Sequence, residues 1–188
     1  MTNLLLAIGV ALAFGFGLSW FAVTDGRYFG VTQIGPWSTW RDAGSPQPDP
    51  YSRAYIARTA ALQLGASEGL QFTATVDSEG RALTRSCRYR IDGTTPTATF
   101  WTLTAVDATG ALITRPDGPK AFNSTRIARA NDGSMELYVS RTLAPRNWLE
   151  ITGEGSFVLA LNLYDTSSLG GVGSTALTLP SIIREACA

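Results

Sequence analysis

An apolar run near the N-terminus sets the architecture of this 188-residue chain. Residues 4–23 read LLLAIGVALAFGFGLSWFAV and contain no charged side chain. A helix rises about 1.5 Å per residue, so one of this length spans roughly 30 Å, the thickness of the hydrocarbon core of a bilayer. The sequence therefore predicts a transmembrane anchor at residues 1–24, a linker at residues 25–48 and one domain at residues 49–188.

The alternative to an anchor is a cleaved signal peptide. Signal peptides have a basic start, a shorter apolar core and a small-x-small cleavage site. No Lys or Arg precedes the apolar run, and Ala22-Val23-Thr24 is a poor cleavage site. These features favour a retained anchor, which makes the lipid bilayer an expected partner.

Small residues recur along the predicted helix at intervals of four. They form two series, Ala7, Ala11 and Gly15, and Gly9, Ala13 and Gly17. We interpret the two series as neighbouring ridges that let a second membrane helix approach closely, and we predict an integral-membrane partner there. The alternative is that Gly and Ala are simply common in membrane helices.

Composition excludes several classes of function. The net charge is zero and basic residues do not cluster, which argues against a nucleic-acid surface. The chain has no histidine, which removes histidine triads, histidine general bases and histidine metal ligands. We therefore expect no cofactor, no metal and no catalytic residue, although carboxylate or tyrosine chemistry stays open as a route to an enzyme.

The chain has two cysteines, Cys87 and Cys187. In an exported domain an oxidising environment favours their pairing, which would tie the C-terminal tail to a central strand. The alternative is two separate thiols.

After residue 48 the pattern predicts one short helix followed by strands. Asp49-Pro50 supplies an N-cap and a first-turn proline for a helix that continues to residue 64. Apolar and polar residues then alternate, with turn residues between the runs. The predicted strands cover residues 70–76, 83–91, 98–106, 134–141, 156–164 and 177–184. This pattern predicts a mainly β fold, a jelly-roll-like antiparallel β-sandwich.

Six segments carry a resemblance to a known family. In order they are DPYSRAYIARTAALQLGASEGLQF, CRYRIDG, FWTLTAVDATG, NDGSMELYVS, RNWLEI and FVLALNLYDT. They resemble the bacterial domain of unknown function 1214 family over roughly residues 35–184. The resemblance implies a jelly-roll-like sandwich in the envelope of Gram-negative bacteria, with no established activity. It implies a periplasmic domain, whereas Arg27 and Arg41 after the helix weakly favour the cytoplasm by the positive-inside rule.

Four side chains form the candidate ligand or partner face, namely Arg88, Arg90, Trp101 and Trp148. Arg88 and Arg90 share one face of a predicted strand and could hold an anion, and Trp101 could stack on a sugar ring. The alternatives are solvated ion pairs for the arginines, core packing for Trp101 and a structural turn at Trp148.

These features together predict a single-pass inner-membrane protein with its C-terminal domain in the periplasm. We expect a non-catalytic accessory or structural subunit of an inner-membrane complex, held to its partner through the helix. The alternative is a binding module for an envelope carbohydrate or lipid.

Overall fold

The computed structural model describes residues 2–24, 31–40, 42, 44–59, 64–65, 67–166 and 177–187. Within these ranges the chain forms two helices and ten strands. They are α1 (Thr2–Thr24), β1 (Val31–Ile34), β2 (Trp37–Trp40), α2 (Pro50–Thr59), β3 (Gly69–Ala74), β4 (Cys87–Gly93), β5 (Ala98–Val106), β6 (Phe122–Asn123), β7 (Met135–Ser140), β8 (Asn147–Glu150), β9 (Val158–Thr166) and β10 (Ser181–Cys187).

The strands form two sheets that enclose one core. The first sheet has the order β1-β2-β3-β9-β5-β6, and the second has the order β10-β4-β7-β8. The strands pair antiparallel, apart from β7 and β8, which run parallel. The predicted fold class, a mainly β sandwich behind an apolar helix, is confirmed.

The core follows from the alternation of side chains along the paired strands. β9 lies between β3 and β5, and its Leu159, Leu161 and Leu163 point inwards between them. From the second sheet, Tyr89 and Leu137 complete the same cluster. Because β9 has a partner on both edges, it is a central strand of the first sheet.

The linker predicted at residues 25–48 is wrong over residues 31–40, because this stretch forms β1 and β2. β2 joins β3 at Ser38 and Thr73, so the first sheet continues into the supposed linker. Trp37 is completely buried, and its Nε1 donates a 2.7 Å hydrogen bond to the carbonyl of Pro180, just before β10. The sandwich domain therefore includes residues 31–40.

The helix α2 begins as its sequence predicts. The Asp49 side chain accepts hydrogen bonds from the backbone N–H groups of Tyr51 and Ser52, at 2.8 and 3.2 Å. These bonds satisfy donors that the first turn of a helix leaves without intrahelical partners. The neighbouring Ser52 side chain, together with the backbone N–H groups of Ser52 and Tyr51, lowers the pKa of Asp49. The predicted helix extends to residue 64; the structure describes α2 over Pro50–Thr59, and residues 60–63 lie outside the described ones.

The helix α1 is long and apolar enough to cross a membrane over Thr2–Ala22, a property that it shares with signal sequences. Its C-terminal end contacts α2. The Arg58 guanidinium lies 4.5 Å from the centre of the Trp20 ring, and its Nη1 donates a 2.7 Å hydrogen bond to Thr24 Oγ1. Arg58 therefore connects α2 to the end of α1.

Candidate functional site

The candidate face divides over several places in the structure, with three of its four residues on the second sheet. Arg88 and Arg90 alternate along β4 with buried residues, so both lie on its outer side. In the register of this sheet Arg90 is opposite Tyr138, and Tyr138 is opposite Trp148. An arginine and two aromatic residues therefore form one row across three neighbouring strands.

Trp101 does not belong to this face, and its predicted role as a sugar platform is wrong. Its side chain is 2% exposed and lies in the core, on the inner side of β5. The ring cannot reach a ligand from there. The alternative explanation, core packing, is the one that the structure supports, while the neighbouring Phe100 points outwards and contacts Tyr164 at 5.8 Å between ring centres.

Arg90 forms ion pairs with two carboxylates. Its Nη1 lies 2.9 Å from Asp92 Oδ2, and its Nε lies 3.2 Å from Glu185 Oε1. Beside it, the Tyr138 hydroxyl donates a 2.6 Å hydrogen bond to Glu136 Oε1, which together with burial raises the pKa of Tyr138. Arg90, Asp92 and Glu136 border a cleft of about 580 Å³, in which Arg90 pairs with Asp92 and Arg146 pairs with Glu136. Partly exposed pairs of this kind contribute little to stability.

Trp148 is half-buried, and its Nε1 donates to Ser140, at 3.2 Å to the carbonyl and 3.1 Å to Oγ. The preceding Asn147 is buried, and its amide nitrogen donates 2.8 Å hydrogen bonds to the carbonyls of Ala128 and Glu136. Asn147-Trp148 therefore has a structural part in fixing β8, and the Trp148 side chain is only half-buried.

Arg88 lines a separate concavity at the end of the second sheet, which we call the arginine groove. This groove has a volume of about 260 Å³ and is bounded by Arg85, Arg88, Arg141 and a disulfide between Cys87 and Cys187. The two cysteines are directly opposite each other in the pairing of β4 with β10. The sequence analysis missed Arg85 and Arg141, because both lie in connecting segments that only the folded sheet brings next to Arg88.

The two small-residue series of α1 do not form neighbouring ridges. An α-helix turns about 100° per residue, so positions two apart differ by about 200°. The series Ala7, Ala11 and Gly15 therefore lies on one side, and the series Gly9, Ala13 and Gly17 lies on the other. The second side carries a shallow groove of about 240 Å³ at Ala13, Phe14, Gly17 and Leu18.

Asp77 and Asp107, whose pKa values are also lowered, accept hydrogen bonds within turns. Asp77 is buried, and burial alone would raise its pKa, but hydrogen bonds from the backbone and guanidinium of Arg81 and from the Glu79 N–H lower it. A hydrogen bond from Thr109 lowers the pKa of Asp107 in the same way. Within the described ranges no group of three or more metal-ligating side chains occurs.

The fold and these surfaces define a mostly β protein with two sheets and an N-terminal apolar helix. Residues 68–168 match a family described as a protein of unknown function, DUF1214. Because this range covers more than half of the chain, the protein belongs to the DUF1214 family.

A solved structure shares the β-rich fold. A crystal structure of a protein from Vibrio parahaemolyticus matches with a TM-score of 0.58 and 19% identity, over 74% of this chain and 36% of that chain. An uncharacterized protein from Burkholderia cenocepacia matches with a TM-score of 0.43 and 19% identity, over 62% of this chain and 29% of that chain. The chain therefore spans about a third of the length of these relatives. None of the curated proteins matches it.

Proposed function

We propose that this protein is a single-pass inner-membrane protein whose β-sandwich lies in the periplasm, and that it is a non-catalytic accessory subunit of an inner-membrane complex. The observation that carries the proposal is the small-residue side of α1 formed by Gly9, Ala13 and Gly17. A Cβ built on Gly9 or Gly17 meets no heavy atom within 4 Å; the same is true of Gly15 on the other side, so the groove at Ala13 and Gly17 is what distinguishes this side. This side is therefore free, among the described residues, to receive a second helix.

Packing of this kind drives helix association in membranes. Lipid tails are as apolar as leucine, so burial of apolar surface gives little net gain between helices. Small side chains let two backbones approach closely and increase their van der Waals contact. At Ala13 and Gly17 the small side chains leave a shallow groove in which such an approach has room.

The disulfide supports a periplasmic domain, and Trp20 supports a membrane-spanning helix. The Cys87–Cys187 disulfide is a bond that persists in oxidising compartments and is rare in the cytosol. Trp20 near the end of α1 suits the interfacial aromatic belt, where the helix leaves the bilayer. The sandwich would then begin directly at the membrane surface.

Matched leucine substitutions on the two sides of α1 test the proposed contact. Ala13→Leu fills the groove, so we expect a partner that co-purifies in mild detergent to fall about tenfold or more in yield, since a clash removes the close approach. Ala11→Leu makes the same chemical change on the opposite side of the helix, and we expect it to leave the yield unchanged. The measurement is quantitative mass spectrometry of the captured complex.

The proposal fails if Ala11→Leu and Ala13→Leu have equal effects, because the contact would then not depend on this side of α1. It also fails if only a second copy of the chain is captured, since this result would indicate a homo-oligomer. Equal membrane levels of both variants, checked before capture, ensure that the comparison concerns binding.

A binding module for an envelope carbohydrate or lipid is the second candidate. Burial of Trp101 removes the expected stacking platform for a sugar. The arginine groove is the observation that favours this candidate, because it offers a concave cationic surface.

A further inference from the structure

We propose that the arginine groove binds a phosphate group. The inference is independent of the proposed contact of α1, because it rests on charged residues of the second sheet and not on the packing of the membrane helix. The planar guanidinium group of arginine can donate two parallel hydrogen bonds to the oxygens of a phosphate, so arginine is common at phosphate-binding sites.

The charge of the groove is not balanced by the protein. Its lining contains three arginines, Arg85, Arg88 and Arg141, and no Asp or Glu. Within the described ranges other arginines do pair with carboxylates, namely Arg81, Arg90, Arg115, Arg146 and Arg184. No ion pair of the described residues involves the three groove arginines. Like charges that converge on one concavity repel each other, so an anion between them is favoured.

Arg85 has one weak electrostatic neighbour outside the groove. Its charge is the smallest of the causes that lower the pKa of Asp107, after the hydrogen bonds from Thr109 and Ala111. Asp107 does not line the groove. This acid therefore does not occupy the position of the expected anion.

The guanidinium groups of Arg85 and Arg88 have more N–H donors than they use within the described residues. An arginine has five N–H donors. Arg88 uses Nη2 for a 3.1 Å hydrogen bond to Thr142 Oγ1, and Arg85 uses Nη1 for a 3.2 Å hydrogen bond to the Thr152 carbonyl. The Nε of Arg85 is buried and has no acceptor in the part of the chain described. These contacts orient the two side chains and leave further donors for a ligand.

The wall of the groove is fixed before a ligand arrives. The disulfide joins β4 to β10 at one side. At the other side, buried Ser140 donates a 2.6 Å hydrogen bond to the carbonyl of Thr142 and accepts from Trp148 Nε1. Trp148 thus becomes a positioning residue for the turn that carries Arg141. A preformed site loses less conformational entropy on binding.

The volume of about 260 Å³ limits the size of the ligand. Pockets for drug-sized ligands begin at roughly 300 Å³. The groove therefore suits a phosphate group with a small substituent, which can belong to a soluble phosphate ester or to the head group of a lipid.

Two probes applied to the full-length protein in detergent distinguish these sources. Glycerol 1-phosphate is titrated calorimetrically, and dihexanoyl phosphatidic acid is titrated in native mass spectrometry against dihexanoyl phosphatidylcholine. Binding of the first alone indicates a soluble phosphate ester, and preferential binding of phosphatidic acid indicates a lipid head group. Either result supports the proposal. If neither phosphate probe binds, the proposal is overturned.

Arginine substitutions locate the binding. Arg88→Gln is expected to weaken the affinity for the probe roughly tenfold or more, because a hydrogen bond to a charged group is lost. Arg126→Gln removes an equal charge from an exposed position outside the groove, and we expect it to change the affinity less than twofold. Equal losses in both variants would mean non-specific attraction and would overturn the proposal.

Arg141→Gln is a second variant of the groove, which keeps the test valid if Arg88→Gln fails to fold. Arg141 is exposed, so its substitution leaves the core intact. We expect an affinity loss of severalfold with an unchanged unfolding midpoint. Unchanged affinity in Arg141→Gln, together with unchanged affinity in a folded Arg88→Gln, would contradict a phosphate site here.

Discussion

Trp37→Ala is expected to lower the free energy of unfolding by about 3–5 kcal/mol, the usual cost of removing a fully buried large aromatic side chain. The ring is completely enclosed, and its Nε1 bonds to the Pro180 carbonyl across the core. The substitution leaves a cavity and deprives a buried carbonyl of its donor. The measurement is urea unfolding of the full-length protein in detergent, followed by near-UV circular dichroism.

Trp40→Ala is the matched control for Trp37→Ala, because it makes the same change in the same strand. Trp40 is half-buried and stacks on Tyr55, with 4.2 Å between the ring centres, on the side away from the core. We expect a clearly smaller loss. Equal small effects of the two substitutions would mean that residues 31–40 are not part of the sandwich. This result would support the predicted linker.

Removal of the disulfide by Cys187→Ser is expected to cost about 4 kcal/mol of unfolding free energy, since the bond closes a loop of 100 residues in the unfolded chain. Cys187 is the exposed partner, and buried Cys87 remains as a small apolar residue in the variant. The measurement is urea unfolding of both proteins under oxidising conditions.

A reducing agent provides the control for the disulfide. It should lower the unfolding midpoint of the wild-type protein towards that of Cys187→Ser and leave the variant unchanged. Equal stabilities of the two oxidised proteins, or two alkylatable thiols in the native wild-type protein, would contradict a structural bond.

Long strands were predictable and short ones were not. The range predicted for residues 98–106 coincides with β5, because nine residues of alternation define a period of two. β1 and β2 have four residues each, so their alternation is too short to distinguish from a connector. Tertiary pairing to β3, rather than local pattern, makes residues 37–40 a strand.

The candidate site was predictable only in part, for reasons that differ by residue. Alternation correctly placed Arg88 and Arg90 on one face, but could not tell that one pairs with carboxylates and the other joins the groove. Alternation also placed Phe100 and Trp101 on opposite faces of a strand, but it could not show which of the two faces the core. By contrast, the opposite sides of Ala7 and Gly9 followed from helix geometry alone, so this correction was available in the sequence.

The central claim is that α1 is retained as an anchor and holds the sandwich in the periplasm. Intact-mass measurement of the protein from separated membrane and soluble fractions, combined with protease treatment of spheroplasts, tests it most directly. We predict a membrane-bound chain that includes residues 1–24 and whose sandwich the external protease degrades. A soluble protein that lacks these residues would indicate a cleaved signal peptide, and a protected domain would indicate the cytoplasmic side; either result would contradict the account.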